Sequence, residues 1–375
     1  MSPLLPRLRQ RRQRGRRVLA WGLTSFLLLQ LTASVLLDYA WPQVRFPFFW
    51  EQTTRPDAFA VPPTIVSFGS SRSGCLLDED EITLVVRQLT RDPAVQFFSA
   101  ATPAGDPIVA DRMLDQLLAR GLKPRCAVIE FCPESVNHRN NWLTLHVGRQ
   151  LRWDEVPSYL GEVTITGNLL RLVGTRFLPL YAFRDQIRQH VAGRSSDWYE
   201  AFLHGPGAAS RQVLTGDLTG PAADWGQLIR DSLRNTKPDP NRTTTQGLND
   251  VRRELRQYRP GGNSAAALER MLRRCRAQGI EPLLVAVPLP SGHRGCYEPA
   301  IEADFQAYVR DLTSAYQCRF LDYRAALPDH FFIDHHHASP EGKQVFSRQL
   351  GLEVLAPFWT EQARARRAPS QRAGL

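Results

Sequence analysis

Residues 18–37, VLAWGLTSFLLLQLTASVLL, contain no charged side chain. At about 1.5 Å per residue the run is roughly 30 Å long as a helix, the thickness of a bilayer's hydrocarbon core. Trp21 near one end, and Tyr39 and Trp41 past the other, fit the aromatic belts of the two interfaces. Seven arginines and no acid lie within residues 1–17. Such a flank stays cytoplasmic and sends the rest of the chain to the far side. The competing reading is a cleaved signal peptide, with Thr32-Ala33-Ser34 as its processing site. The span exceeds a usual signal core, which favours a retained anchor holding membrane lipid through residues 18–37.

The same arginines account for the basic balance. The chain carries a net charge of +10, but removing the seven N-terminal arginines and Arg364, Arg366, Arg367 and Arg372 leaves −1. A near-neutral body argues against a nucleic-acid-binding face. Six cysteines (Cys75, Cys126, Cys132, Cys275, Cys296 and Cys318) would then lie where disulfides persist. Cys126 and Cys132 fall in an apolar run and read as small buried residues, while a Cys275–Cys318 bridge, or one using Cys296, is an open alternative. No CxxC or CxxH spacing supports zinc, and the reading calls for no cofactor.

Beyond a Pro- and aromatic-rich stalk at 38–60, strands alternate with helices. TIVSFG (64–69), VQFFSAA (95–101), CAVIEF (126–131), EPLLVAVPLP (281–290) and CRFLDY (318–323) read as strands. Residues 106–121, 264–279, 300–316 and 339–359 read as helices, the last opening on a Ser339 cap with Pro340 behind it. The alternation implies a doubly wound α/β domain with a parallel five-stranded sheet. Its two parts, 61–133 and 263–359, flank a largely helical insertion at 134–262, and a basic tail covers 360–375. The insertion carries Trp142, Trp153, Trp198 and Trp225, suited either to stacking on sugars or to an ordinary small core. It is expected to cap the sheet's carboxyl edge; the alternative is a helical subdomain with no part in chemistry.

Two stretches carry candidate chemistry. FGSSR (68–72) ends the first strand abruptly, at the edge where α/β sheets gather their active sites. FFIDHHHASPEG (331–342) places Asp334 three residues before His337, in reach of its Nδ1, which leaves Nε2 free to activate a serine. The bland alternatives are a capping role for Ser71 and Asp334, and a metal-binding tract of His330, His335, His336 and His337. Adjacent loop histidines point in different directions, which disfavours metal.

Together FGSSR and the C-terminal DHHHASPEG resemble the SGNH/GDSL hydrolase superfamily, over residues 64–131 and 264–358. The GSSR form resembles a membrane-anchored branch associated with O-acylation of cell-surface polymers. The resemblance implies Ser71 as nucleophile, His337 as base, Asp334 as orienting acid, and the amides of Ser71 and Gly105 as the oxyanion hole. Arg72 becomes a candidate substrate contact, or else a structural ion-pair partner. The family's third block, Gly-x-Asn-Asp, is absent from EFCPESVN; Asn137 either substitutes or is a loop residue. The implied activity is that of a serine esterase or O-acyltransferase acting on acyl esters of a cell-surface carbohydrate. A membrane-bound O-acyltransferase is the implied partner. A non-catalytic scaffold binding a glycan or such a partner is the alternative from another class.

Overall fold

The computed structural model describes residues 4–45, 47–102, 104–139, 151–165, 167–191 and 240–367. The N-terminal run lies in one helix, α1 (Leu4–Tyr39), of which Gln13–Tyr39 is long and apolar enough to cross a membrane. The expected stalk is helical instead, as α2 (Pro42–Arg45), α3 (Pro47–Thr54) and a 3-10 turn (Arg55–Ala58). Pro42 and Pro47 begin their helices, where a fixed φ helps and a missing N–H costs nothing.

The strand–helix alternation then begins with β1 (Ile65–Phe68), α4 (Ser71–Leu76), α5 (Glu79–Thr90), β2 (Phe97–Ser99), α6 (Pro107–Ala119) and β3 (Cys126–Glu130). Helices α7 (Val156–Ile165), α8 (Leu169–Phe177), α9 (Pro179–Ala182) and α10 (Arg184–Val191) interrupt it. It resumes with α11 (Pro240–Glu254), α12 (Gly262–Gln278), β4 (Glu281–Ala286), α13 (Ser291–Arg294), α14 (Pro299–Tyr316) and β5 (Arg319–Asp322). The final helix expected over 339–359 is α15 (Pro340–Leu350), a π-helical turn at Gly351–Leu355, and α16 (Ala356–Arg367), so helix continues into the basic tail. Residues 76–83, LLDEDEIT, lead from α4 into the first turn of α5. Asp78 caps it by accepting from the amides of Asp80 and Glu81, and Glu79, Asp80 and Glu81 suit the positive end of the helix.

All five strands are parallel, in the order β2-β1-β3-β4-β5. Their carboxyl ends therefore share one edge. Side chains alternate between faces along a strand. Ile65, Phe97, Cys126, Val128, Leu283 and Val285 form one buried row, packed under Ile82, Val86, Phe346, Leu350 and Trp359 from α5, α15 and α16. Glu130 continues the Cys126–Val128 row, so an acid emerges on that face where β3 ends.

Two units divide the chain: Met1–Trp50 with Thr144–Tyr199, and Glu51–Leu143 with Glu200–Leu375. The stretch expected as one insertion, 134–262, is thus split. Residues 134–139 and 240–262 belong with the sheet, whereas α7 to α10 belong with α1. Trp153 helps explain the split, since its indole donates to Ser34 Oγ (2.9 Å) on α1 and its ring meets Phe177 edge-on. Trp142, Trp198 and Trp225 lie outside the described residues. All six cysteines are buried free thiols, so neither the Cys275–Cys318 bridge nor one through Cys296 forms.

Candidate active site

The site starts from a glycine. A Cβ on Gly69 would lie 2.5 Å from Ser73 Oγ and 2.6 Å from Glu130 Oε2, so only glycine lets the chain leave β1 this close to β3. Glu130 then gathers the turn. It accepts from the Ser70 amide (2.8 Å), the Ser70 hydroxyl (2.8 Å) and the Ser73 hydroxyl (2.6 Å). Ser70 also caps α4, accepting from the Arg72 amide at 3.1 Å. The capping role considered for Ser71 therefore falls to its neighbour, and Ser71 is left as the first residue of α4 with an uncommitted hydroxyl.

That hydroxyl meets the histidine loop. Ile333 N–H donates to His337 O (2.9 Å) and Ser339 N–H to Phe331 O (2.7 Å), closing a tight loop before α15. Inside it, Asp334 Oδ1 accepts from the amides of His336 (2.8 Å) and His337 (2.7 Å), and Oδ2 faces His337 Nδ1 at 2.6 Å. His337 Nε2 lies 2.9 Å from Ser71 Oγ. With Nδ1 donating to Asp334, Nε2 keeps its lone pair for the serine proton. Burial pushes the Asp334 carboxyl up, but the hydrogen bonds from His337 and the loop amides outweigh it and bring it down to about 2. The acid stays ionised through the ordinary pH range.

The three consecutive histidines occupy different environments. His335 packs against α11, where a Cβ on Gly247 would lie 2.2 Å from its ring, and burial brings it down to about 4. His336 is held neutral by burial and by the adjacent histidines. Its Nε2 nevertheless lies 3.1 Å from His337 Nε2, so these two rings converge where divergence was expected. Asp334, His336 and His337 offer ligand atoms within 4.8 Å of one another. Both Asp334 oxygens already accept from His337 Nδ1 and the loop amides, which leaves two nitrogens, short of the three protein ligands of a catalytic zinc site.

Two expected residues do other work. Arg72 is only 3% exposed, and its guanidinium pairs with Glu130 (3.1 Å) and Glu134 (3.2 Å) and reaches Cys132 Sγ (3.2 Å). It is the structural ion-pair partner, not a substrate contact. Gly105 gives its amide to Thr102 O (2.9 Å), so that N–H is spent inside a turn and does not serve an oxyanion. A Cβ there would lie 2.4 Å from Gly69 O, so Gly105 serves close packing beside the turn that leaves β1. Asn137 is likewise engaged, through Nδ2 to Glu254 O at 2.7 Å. Among the described residues no hydrogen bond of the Ser71 amide is found, as expected for the first residue of α4.

Behind Ser71 and His337 lies a buried polar chain that the sequence motifs do not include. Glu134 accepts from Arg72, from Tyr297 OH (2.9 Å) and, through Oε1, faces His293 Nε2 at 2.9 Å. His293 Nδ1 donates to the His335 carbonyl at 3.0 Å. Burial raises the Glu134 carboxyl, but Arg72 and His293 hold it well below the usual carboxylate range. This chain ties the turn at Gly69–Ser71 to the histidine loop. Its sequence signal is Glu130 in the otherwise apolar CAVIEF, a charge that a buried strand tolerates only with a partner. Compared with known proteins, the chain matches no family model and no curated sequence.

Proposed function

We infer that this protein is a membrane-anchored serine esterase or O-acyltransferase with the doubly wound arrangement of the SGNH/GDSL hydrolases. Its substrate would be the O-acyl groups, acetyl foremost, of a cell-surface carbohydrate. The observation that carries the reading is the unbroken run from Ser71 Oγ through His337 (2.9 Å) to Asp334 (2.6 Å). The run sits at the sheet's carboxyl edge, where α/β folds do their chemistry. The strand order supports double winding, since the chain steps from β1 out to β2 and then crosses to β3, β4 and β5 on the other side.

In this mechanism His337 Nε2 takes the Ser71 proton as Oγ attacks the ester carbonyl. The Ser71 amide donates to the developing oxyanion. His337 returns the proton to the departing alcohol, leaving acyl-Ser71. It then deprotonates water, for hydrolysis, or a sugar hydroxyl, for transfer; attack of that oxygen on the acyl carbon breaks the bond to Ser71 Oγ, which takes the proton back from His337. Asp334 holds the imidazole in the tautomer that each step requires.

Anchoring follows from the Arg-flanked span, with the arginines cytoplasmic and the sheet unit outside. Retention of the span is supported by Ser34 and Asp38, which accept from Trp153. Cleavage at residues 32–34 would strip away the Ser34 partner.

One observation favours the scaffold reading: the amides of Gly105 and Asn137 are both engaged elsewhere, so a single oxyanion donor remains. A lost donor is worth about 10²–10³ in rate. Fluorophosphonate labelling separates the two readings. Covalent modification mapped to Ser71, with turnover of an aryl acetate, supports the enzyme. A folded protein that neither labels nor turns over supports a scaffold that binds a glycan or a membrane-bound acyltransferase.

A further inference from the structure

We propose that α8 and α9 form a second membrane-inserted element, a helical wedge seated in the outer leaflet beside α1. The proposal rests on the reading of α1 as a retained span. On α1, only one stripe in the second half is covered: Gln30, Ser34, Leu37 and Asp38 are each no more than 5% exposed. The spacing of 30, 34 and 38 is that of one helix face, and it holds Gln30, Ser34 and Asp38, the buried polar residues of this half of the span.

The cover comes from the same chain. Leu180 N–H donates to Gln30 Oε1 at 3.3 Å, and Trp153 donates to both Ser34 and Asp38. Arg176 Nη1 pairs with Asp38 at 2.7 Å, and Phe183 packs on Leu37 and Val44. Gln30 lies eight residues before Asp38, about 12 Å along the helix axis. One leaflet's hydrocarbon is about 15 Å thick. A segment hydrogen-bonded to Gln30 therefore lies within the leaflet if α1 spans it.

The outward face of this cover is largely apolar, with Arg171 the exposed charge on α8. Leu170 is 85% exposed and Tyr181 69%, and Leu169, Val173, Phe177 and Leu178 are each at least 40% exposed. Positions 170, 173 and 177 make an exposed apolar stripe on α8, flanking the buried Leu172 and Arg176. An exposed apolar stripe of this extent is covered by a partner or by lipid. Continuity with the span selects lipid, because this face extends the surface that α1 itself exposes. The tip, FLPLYAF (177–183), carries no charge. Arg184 follows it at once, a side chain long enough to reach the headgroups.

The test uses the full-length protein in phosphatidylcholine vesicles containing a phosphatidylcholine with a diazirine in its acyl chain. After irradiation and trypsin digestion, adducts are mapped by mass spectrometry. Adducts are expected on the α1 peptide, 18–45, and on the tip peptide, 177–184. In a Leu178→Asp, Tyr181→Asp double variant, those on the tip should fall about tenfold while those on 18–45 persist. Adducts on 18–45 alone in the unaltered protein would overturn the wedge and leave the anchor standing. A tip silent to lipid but cross-linked between two copies would assign this face to a dimer and overturn it equally. Absence from both peptides would refute the anchor itself.

Discussion

Each of the two units buries an arginine–carboxylate cluster, and the two are built in opposite proportions. Behind Ser71, two carboxylates, Glu130 and Glu134, share one guanidinium, Arg72, and Glu134 also meets the imidazole of His293. Beside α1, a single carboxylate, Asp38, serves two guanidiniums, Arg45 and Arg176, while Leu151 O accepts from both. The first cluster spreads its hydrogen bonds over the nucleophile turn and the histidine loop. The second pins later helices to one turn of α1. Similar chemistry thus orients a candidate reactive pair in one unit and staples helices in the other.

The sharpest way to break this comparison is to remove the dyad. Ser71→Ala or His337→Ala should lower aryl acetate turnover by about 10⁴–10⁶, the scale of a lost triad member, with the melting transition unchanged in Ser71→Ala. Asp334→Asn should cost about 10⁴, because Nδ1 loses the acceptor that sets the tautomer. Turnover within tenfold of the original in His337→Ala would end the base assignment.

The next effect concerns the clusters themselves. Breaking a buried ion pair from one side costs about 3–5 kcal/mol, since the other charge is left without its partner. Glu134→Gln and Asp38→Asn should both destabilise on that scale in denaturant titrations. Only Glu134→Gln should slow fluorophosphonate labelling of Ser71, by up to about 10²-fold, because a misplacement near 1 Å costs that much. Equal slowing in Asp38→Asn would erase the functional difference between the two clusters.

A smaller effect is set by pH. The Asp334 carboxyl falls from 3.8 unfolded to about 2 folded, so its contribution is present above pH 4 and is lost as pH falls through 2. The shift corresponds to about 2 kcal/mol. The stability gap between the unaltered protein and Asp334→Asn should therefore close by that amount between about pH 4 and pH 2, read by acid titration of the unfolding free energy. A gap constant over this interval would mean that the carboxylate is not held by its donors.

The smallest effect is expected at His336. Its Nε2 competes with the Ser71 hydroxyl for the same His337 nitrogen, 3.1 Å against 2.9 Å. His336→Phe should change labelling by less than about tenfold, far below the loss in His337→Ala. A loss matching that of His337 would make the two rings one functional unit.

The apolar span, the five strands and the serine and histidine motifs were all legible because each is a local pattern: a charge-free run, alternating periodicities, and an Asp-x-x-His loop that closes on itself. The parallel sheet follows from the alternation, and it brings the two motif ends to one edge. Other features were not legible, because they depend on which groups meet across long separations. Gly105 carries the right residue type, yet its amide is taken by Thr102 O. Arg72 looks exposed in a polar turn until Glu130 and Glu134 bury it. The prolines of 42–58 mark helix starts as readily as a stalk, and neighbouring structure decides between them. The helices of 151–191 joined α1 because Gln30, Ser34 and Asp38 need partners wherever water is excluded. Sequence alone determined the periodic elements and the types of reactive residue; only the tertiary structure decided which donors, charges and apolar faces were already satisfied, because satisfaction belongs to a pair and not to a residue.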